Sequence, residues 1–169
     1  YDKQKLLNDF NKLSDFLTGS AYQTFMFRDF QGRNIMIGAS DEVNFIDYQG
    51  GMKGAPQYDA ASLLWQARAN LPDAWKEKLL IDFIGYFENE TGEKVNADLF
   101  KKQYYGFVLI RLLQVLGAYG FRGLFERKAH FLTSIPLALK NLNEFLNNHN
   151  PGIEFPELDK LFPICTTNE

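Results

Sequence analysis

Three polar side chains in the first third of the chain have the types and the spacing that a phosphoryl transfer requires. Asp29 and Asn34 lie five positions apart in FRDFQGRN, residues 27–34, and Asp47 follows thirteen positions later in FIDYQ, residues 45–49. Moving the γ-phosphoryl group of ATP needs a carboxylate that orients the incoming hydroxyl and takes its proton, and oxygen ligands that hold Mg²⁺ against the phosphates. Mg²⁺ prefers hard oxygen donors, which carboxylates and an amide supply. The pattern therefore predicts a kinase-type site.

The segments around these residues favour the same interpretation. The aromatic and apolar run 22–27, YQTFMF, is typical of a short strand that ends at the first aspartate. Two further β-prone runs, 34–37 and 43–46, flank the turn-like segment GASDE. A hairpin there would place Asn34 at its start and Asp47 at its end. Taken singly, each aspartate is more typical of a turn cap or a strand end, and the joint spacing is what favours phosphoryl transfer.

Helical periodicity dominates the rest of the chain. Apolar residues recur at intervals of three and four, and glycine or proline punctuates the segments between them. The predicted helices span 3–17, 59–68, 72–90, 96–117 and 134–147. Asp59 stands where the N-cap of the second helix is expected, and Pro151, Gly152 and Pro156 mark a short tail. The sequence predicts a mainly α fold with one small β-hairpin.

Composition limits the classes of partner and the cellular location. The chain has 169 residues, 46% of them hydrophobic, which is enough for one well-packed domain. A net charge of −3 gives no basic footprint for nucleic acid, so no nucleic-acid partner is expected. The single cysteine, Cys165, forms no intrachain disulfide and fits a reducing cytoplasm. No signal peptide and no uninterrupted apolar run of about 18 residues is present, so we expect no membrane partner.

The motifs around the three residues resemble those of the aminoglycoside phosphotransferase and choline kinase family. Its motifs, His-x-Asp-x-x-x-x-Asn, Ile-Asp followed by an aromatic residue, a glycine, and Tyr/Phe-Asp-Leu-Ala, correspond here to FRDFQGRN, IDY, Gly54 and YDAA at 58–61. The resemblance implies the C-terminal lobe of a protein-kinase-like α+β fold that uses ATP and Mg²⁺. It also implies roles for four residues. Asp29 would be the catalytic base, Asn34 and Asp47 the Mg²⁺ ligands, and Asp59 a brace for the catalytic loop.

A narrower resemblance is to the bacterial anomeric sugar kinases that act on N-acetylmuramate and N-acetylglucosamine. It rests on RDF at 28–30, DYQ at 47–49, GAPQYD at 54–59 and RLLQVLG at 111–117, and it implies a sugar or amino-sugar hydroxyl as acceptor. The chain departs from its relatives at two positions. Phe27 stands where the family has histidine, and Gly50 where many sugar kinases have aspartate. We expect Phe27 to pack under the loop without loss of chemistry.

Other polar residues are weaker candidates for substrate or phosphate contacts. Arg33, inside the catalytic loop, could contact a phosphate or the acceptor, or could instead pair with Asp59 or face solvent. Gln49 is a further candidate contact. Arg122 lies in a glycine-rich stretch that either lines an acceptor pocket or ends a helix whose small residues pack closely. For Arg111, on the fourth predicted helix, internal hydrogen bonds are favoured over substrate contact.

The family's N-terminal lobe, with its nucleotide-anchoring lysine, does not fit into the 28 residues that precede Asp29. We therefore expect residues 1–169 to be one domain, the C-terminal lobe of a larger kinase whose other lobe is its partner in the same polypeptide. Its expected parts are helix 3–17, a catalytic loop and metal hairpin at 22–49, and a helical subdomain at 57–162. Alone it should have little or no activity. The alternative is a kinase-like module that binds nucleotide for regulation without transferring phosphate.

Overall fold

The structure is a computed structural model that describes residues 1–163. Cys165, used above to predict a reducing environment, lies outside the described residues. Helices α1 to α6 and strands β1 to β4 follow one another along the chain, with one 3₁₀ turn before β2 and one π-helical turn after α4. Their bounds are α1 Lys3–Thr18, β1 Thr24–Met26, the 3₁₀ turn Gly32–Asn34, β2 Ile35–Ile37, β3 Val43–Phe45, β4 Met52–Gly54, α2 Pro56–Leu64, α3 Asp73–Thr91, α4 Ala97–Gly120, the π-helical turn Phe121–Phe125, α5 Ala129–Leu132 and α6 Ile135–Asn148.

Capping residues explain where several helices begin and end. The carboxylate of Asp2 accepts hydrogen bonds from the backbone of Gln4 and Lys5, so α1 begins at the next residue after the cap. Asn96 caps α4 in the same way through the N–H of Leu99. At the end of α3, Gly92 adopts φ +71°, a left-handed conformation that glycine enters without strain. The predicted bounds of α1, α3 and α6 agree with the structure to within one or two residues.

Two predicted helices have wrong bounds. The second, predicted at 59–68, begins at Pro56 and ends at Leu64, so Asp59 lies in its first turn and is not its N-cap. Proline at the first helical position already has the required φ, which moves the start upstream. The fourth helix does not end at Gly117 but continues to Gly120 and then into the π-helical turn. Nothing lies within 4 Å of where a Cβ of Gly117 would be, so this glycine marks no close packing.

The β structure is a pair of two-stranded antiparallel sheets, where the sequence predicted a single hairpin. Strands β2 and β3 form that hairpin, with Ile35 opposite Phe45. Strand β4 pairs with β1, with Thr24 opposite Gly54. The second sheet escaped prediction because β4 is only Met-Lys-Gly, which is too short and too mixed to show an alternating pattern. The prediction of a mainly α chain with a small β element is confirmed.

The core forms where α1, α2, α3 and α6 pack around α4. Its fully buried members include Leu80, Phe100, Val108 and Leu142.

Among the described residues, one stretch, Ala97–Phe125, is long and apolar enough to cross a membrane by length and composition alone. Core helices of soluble proteins meet the same criterion.

Lys76 on α3 is a charged residue inside this core, with 2% of its side chain exposed. Its ammonium pairs with the carboxylate of Glu144 on α6 at 2.9 Å and lies 3.7 Å from the centre of a Trp65 ring. Trp65 also packs edge to face on Phe145. Because burying an ammonium is costly unless it is paired, the ion pair and the ring together hold α3 and α6 against the end of α2. Trp65 is thereby fixed in orientation.

Candidate active site

The loop between β1 and the 3₁₀ turn is closed by the side chain of Asn34. Its amide nitrogen Nδ2 donates to the backbone oxygen of Asp29 at 2.9 Å and to the Asp29 carboxylate oxygen Oδ2 at 3.2 Å. Asn34 is 4% exposed, so these bonds are made away from solvent. Asp29 itself is half-buried and accepts a further hydrogen bond from Gln31. The loop therefore presents one carboxylate in a fixed position.

The hairpin brings Asp47 beside Asn34. One step beyond the paired residues Ile35 and Phe45, the N–H of Ile46 donates to the Asn34 carbonyl at 3.0 Å. Asp47 is the next residue, exposed at the edge of this pairing, and its Oδ1 accepts a hydrogen bond from Gln49 Nε2 at 2.6 Å. The structure thus joins Asn34 directly to Asp29 and places Asp47 one residue beyond the backbone hydrogen bond between Ile46 and Asn34.

Three residues of this region have a left-handed backbone. Arg28, directly before Asp29, has φ +75°, and Asp47 and Asp41, the latter in the hairpin turn, each have φ +60°. Left-handed conformations of this kind cost residues other than glycine on the order of 1–3 kcal/mol and concentrate at functional sites. Arg28 is held by a hydrogen bond from its guanidinium to the Gly50 carbonyl at 3.3 Å. Two of these positions, Arg28 and Asp47, lie at or directly before a candidate active-site aspartate.

Asp59 joins the predicted catalytic loop, residues 27–34, to α2. Its carboxylate accepts hydrogen bonds from the backbone N–H groups of Phe27, at 2.5 Å, and Arg28, at 2.9 Å. Burial raises the pKa of this carboxyl above its ordinary 3.8, and the two N–H donors and the nearby Arg111 oppose that rise. The contact is the one that a loop-bracing residue would make.

Gln66 and a group of aromatic rings hold the same loop. Gln66 accepts a hydrogen bond from the N–H of Gly32 at 2.9 Å. The Phe27 ring lies 5.8 Å from that of Phe30 and 5.9 Å from that of Tyr48, centre to centre. Phe27 therefore packs between the loop and the hairpin, as expected from its place in the motif. Gln66 was missed by the sequence analysis, because a lone glutamine after a helix carries no recognisable pattern.

The chemistry of the donors suits Mg²⁺. Asn34 uses its Nδ2 for Asp29, which leaves the amide oxygen Oδ1 for another partner. Gln49 occupies only Oδ1 of Asp47. Within residues 1–163, no group of three or more His, Cys, Asp or Glu side chains is placed to hold a metal ion. Because Mg²⁺ commonly takes one or two protein oxygens and completes its shell with water and substrate phosphates, Asn34 and Asp47 fit the ion without such a group.

The weaker candidate Arg33 also lies at the site, in a contact that the sequence did not predict. Its guanidinium pairs with the carboxylate of Asp29 at 3.3 Å and is largely exposed. The alternative pairing with Asp59 is wrong, because both Asp59 oxygens face the backbone of residues 27 and 28.

Residues 3–94 match the model of the phosphotransferase enzyme family. The match covers more than half of the chain and includes all three candidate active-site residues. The chain belongs to the phosphotransferase enzyme family. No curated protein and no solved structure matches the chain. The broader of the two resemblances, to a kinase-type phosphotransferase, is therefore confirmed.

In this phosphotransferase a cavity of about 440 Å³ lies beside the catalytic loop, bounded by α2, the second half of α4, the π-helical turn, α5 and α6. We call it the arginine cavity, because four of the six arginines of the chain line it. The full lining is Gln31, Arg33, Ala61, Ser62, Trp65, Gln66, Ala67, Arg68, Arg111, Leu112, Val115, Tyr119, Arg122, His130, Phe131, Ser134 and Ala138.

The sequence anticipated only part of this cavity. Arg122 was a candidate, and it lines the cavity with its guanidinium 5.4 Å from the centre of the Phe131 ring. Arg111 makes the predicted internal hydrogen bonds and nevertheless faces the cavity. Arg68 was missed. Helical spacing carries a signal for Arg122, since Leu112, Val115, Tyr119 and Arg122 follow at intervals of three and four and all line the cavity.

Proposed function

We propose that this phosphotransferase moves the γ-phosphoryl group of Mg·ATP to a hydroxyl of a sugar or amino-sugar. The observation that carries the proposal is the pair of contacts made by Asn34. Its side chain holds Asp29, and its backbone carbonyl binds the residue before Asp47. These contacts support a site in which Asp29 is the base and Asn34 and Asp47 are oxygen ligands for a metal ion, the set that phosphoryl transfer demands.

In the proposed mechanism Asp29 is the catalytic base. Its half-buried carboxylate accepts a hydrogen bond from the acceptor hydroxyl, aligns that oxygen with the γ-phosphorus and takes the proton as the new P–O bond forms and the bond to ADP breaks. Arg33, paired with Asp29 Oδ2, steadies the carboxylate and lies where it could contact the transferred phosphate. Asn34 Oδ1 and Asp47 would hold Mg²⁺, which when bound neutralises charge on the β- and γ-phosphates. Gln49 orients Asp47 through its hydrogen bond.

A sugar acceptor is supported by two observations. The motifs RDF, DYQ and GAPQYD resemble those of bacterial N-acetylmuramate and N-acetylglucosamine kinases. The arginine cavity, next to the catalytic loop, combines the aromatic rings of Trp65, Tyr119 and Phe131 with hydrogen-bonding side chains. Small-molecule sites have this mixture of an apolar wall and a few directed polar groups.

We further propose that the chain acts as the C-terminal lobe of a cytoplasmic kinase and transfers little phosphate by itself. The two small sheets support this, because Phe25, Ile37, Val43 and Phe45 are each more than half exposed. Exposed apolar side chains this close together are typical of a surface that another part of a protein covers. An N-terminal lobe that grips the nucleotide would cover such a surface.

The test is an acceptor screen with a polypeptide in which these residues are joined to a nucleotide-binding lobe. Transfer of labelled γ-phosphate is measured with N-acetylhexosamines, aminoglycosides and choline, with and without Mg²⁺. We expect Mg²⁺-dependent transfer to a sugar or amino-sugar. Mg²⁺-dependent nucleotide binding with no transfer to any acceptor would reject the proposal and favour a regulatory nucleotide-binding module.

A further inference from the structure

We propose that the arginine cavity binds an oxyanion carried by the acceptor, so that the enzyme selects acidic sugars over neutral or cationic ones. Arg111 and Arg122 are the specificity-determining residues in this proposal. The inference rests on the proposed function, since it concerns the acceptor of the same reaction. It is carried by the charges that line the cavity, by an unsatisfied donor on Arg111, and by the position of the cavity next to Asp29.

The cavity concentrates positive charge in a chain that is negative overall. Within residues 1–163 no aspartate or glutamate lines it, although the chain has 21 acidic residues and 18 lysines and arginines. Of the four arginines, Arg33 alone makes an ion pair with a carboxylate among the described residues. Arg68 binds the neutral hydroxyl of Ser134 at 3.4 Å. Like charges repel more strongly where water is scarce, so an aminoglycoside or choline would be disfavoured here.

Arg111 has the properties of an anion anchor. Its guanidinium is held in place by the Tyr58 hydroxyl at 3.1 Å and the Ser62 hydroxyl at 3.0 Å. Its Nε is buried and has no hydrogen-bond partner among the described residues. A buried donor without an acceptor is costly, and a carboxylate or phosphate oxygen is the acceptor that a guanidinium binds most strongly. The arginine is therefore already positioned for an anion, with part of its donor capacity unused.

The position of the cavity connects the anion to the reaction. Gln31 and Arg33 both line the cavity and both donate hydrogen bonds to the Asp29 carboxylate. Arg68 lines it from the segment after α2, and Arg122 from the π-helical turn. A ligand whose anionic group is held among the arginines would thus have its other end near Asp29. At about 440 Å³ the cavity has the size of a small-molecule site.

The experiment measures binding of four matched sugars to the full chain by isothermal titration calorimetry or by NMR chemical shifts. Glucose is neutral, glucosamine is cationic, glucuronate carries a carboxylate and glucose 6-phosphate carries a phosphate. We expect both anionic sugars to bind at least roughly 10-fold more tightly than glucose, and glucosamine to bind most weakly. Tighter binding of glucuronate than of glucose 6-phosphate would assign the anion as a carboxylate, and the reverse as a phosphate.

The exposed Arg122 allows a variant with little risk to folding. Arg122→Gln should lower the affinity for the preferred anionic sugar by roughly 10- to 100-fold and leave that for glucose unchanged. Arg127→Gln, five positions along and outside the cavity, is the matched control and should change neither value. Arg111→Gln should show a loss similar to that of Arg122→Gln. Equal affinities for all four sugars, or equal losses in Arg122→Gln and Arg127→Gln, would overturn the inference.

These binding measurements use neither ATP nor Asp29, so they can fail separately from the proposed function. Anion-selective binding to the chain, combined with no phosphate transfer by the larger polypeptide, would reject the phosphotransferase reaction and support the anion site. Transfer to an acidic sugar at a rate that Arg122→Gln does not alter would reject the anion site and support the reaction.

Discussion

The two small sheets and the helical body are stabilised in opposite ways. Between residues 21 and 54 the only buried residue is Asn34, which is polar and binds Asp29. In the helices, by contrast, the buried residues are mostly apolar and form one continuous core around α4. The loop at residues 27–34 is ordered by hydrogen bonds that Asn34 donates and that Asp59 and Gln66 accept, whereas burial of apolar surface orders the helices.

This difference predicts a separation of effects. Substitutions in the sheets and the catalytic loop should change turnover far more than the free energy of unfolding, because little apolar surface is buried there. Substitutions in the helical core should do the reverse. Asp59 lies on α2 and binds the loop, so its replacement should affect both.

The largest effect is expected from Asp29→Asn in the larger polypeptide. Asparagine keeps an oxygen that can accept the hydrogen bond from Asn34 but cannot take a proton from the acceptor. Turnover should fall by roughly 10²- to 10⁴-fold, with nucleotide affinity and the free energy of unfolding almost unchanged. Steady-state kinetics measures turnover, and urea unfolding measures the free energy of unfolding. Unchanged turnover would end the assignment of Asp29 as the base.

Leu142→Ala should show the opposite pattern. Leu142 on α6 is fully buried in the core, so the substitution leaves a cavity and should cost about 2–5 kcal/mol of unfolding free energy. Turnover by the protein that stays folded should be close to that of the wild type. Ile81→Ala on α3, where the side chain is 55% exposed, is the control and should change stability by no more than about 0.5 kcal/mol. A large loss of turnover per folded molecule in Leu142→Ala would contradict the separation.

Asp59→Ala tests the connection between the two regions. The substitution removes the acceptor for two backbone N–H groups, at Phe27 and Arg28, and should cost about 1–3 kcal/mol. Hydrogen exchange at these two amides should become faster. Exchange at α4 amides should become no faster than the lower global stability requires. Asp59→Asn retains one acceptor oxygen and should be milder. If exchange at residues 27 and 28 were unaltered in Asp59→Ala, the brace would be excluded.

The smallest effect concerns pH. Burial raises the pKa of Asp59 above 3.8, so the folded protein keeps this proton to a higher pH than the unfolded chain does. The resulting contribution to stability is complete below the unfolded pKa and is lost as pH rises through the folded pKa. The unfolding free energy of the wild type minus that of Asp59→Asn should therefore decrease as pH rises from below 3.8 through the raised pKa of Asp59, and then level off. An increase over this range would show that the pKa is lowered instead.

The contrast between the two small sheets and the helices also explains which features could be predicted from the sequence. The site could be predicted because consecutive short elements fix the spacing of Asp29, Asn34 and Asp47. The helices α1 and α3 could be predicted because their apolar residues recur regularly and capping or helix-breaking residues stand at their ends. Strand β4 could not be predicted, because its pairing with β1 joins segments far apart in sequence and its three residues show no pattern. Arg68 and Gln66 follow α2 as ordinary polar residues, and only the packing of α4 and α6 around them gives them a common cavity.

The central claim is that Asn34 and Asp47 form one metal site beside the base Asp29. Binding of Mn²⁺ to the larger polypeptide in the presence of ADP, followed by electron paramagnetic resonance, tests it most directly. Asp41→Asn is a close control for Asp47→Asn, since both aspartates are exposed in the same hairpin with φ +60°, a conformation that asparagine tolerates. We predict that Asp47→Asn lowers Mn²⁺ affinity by at least roughly 10-fold and Asp41→Asn leaves it unchanged. Equal Mn²⁺ affinity in the two variants would contradict the claim.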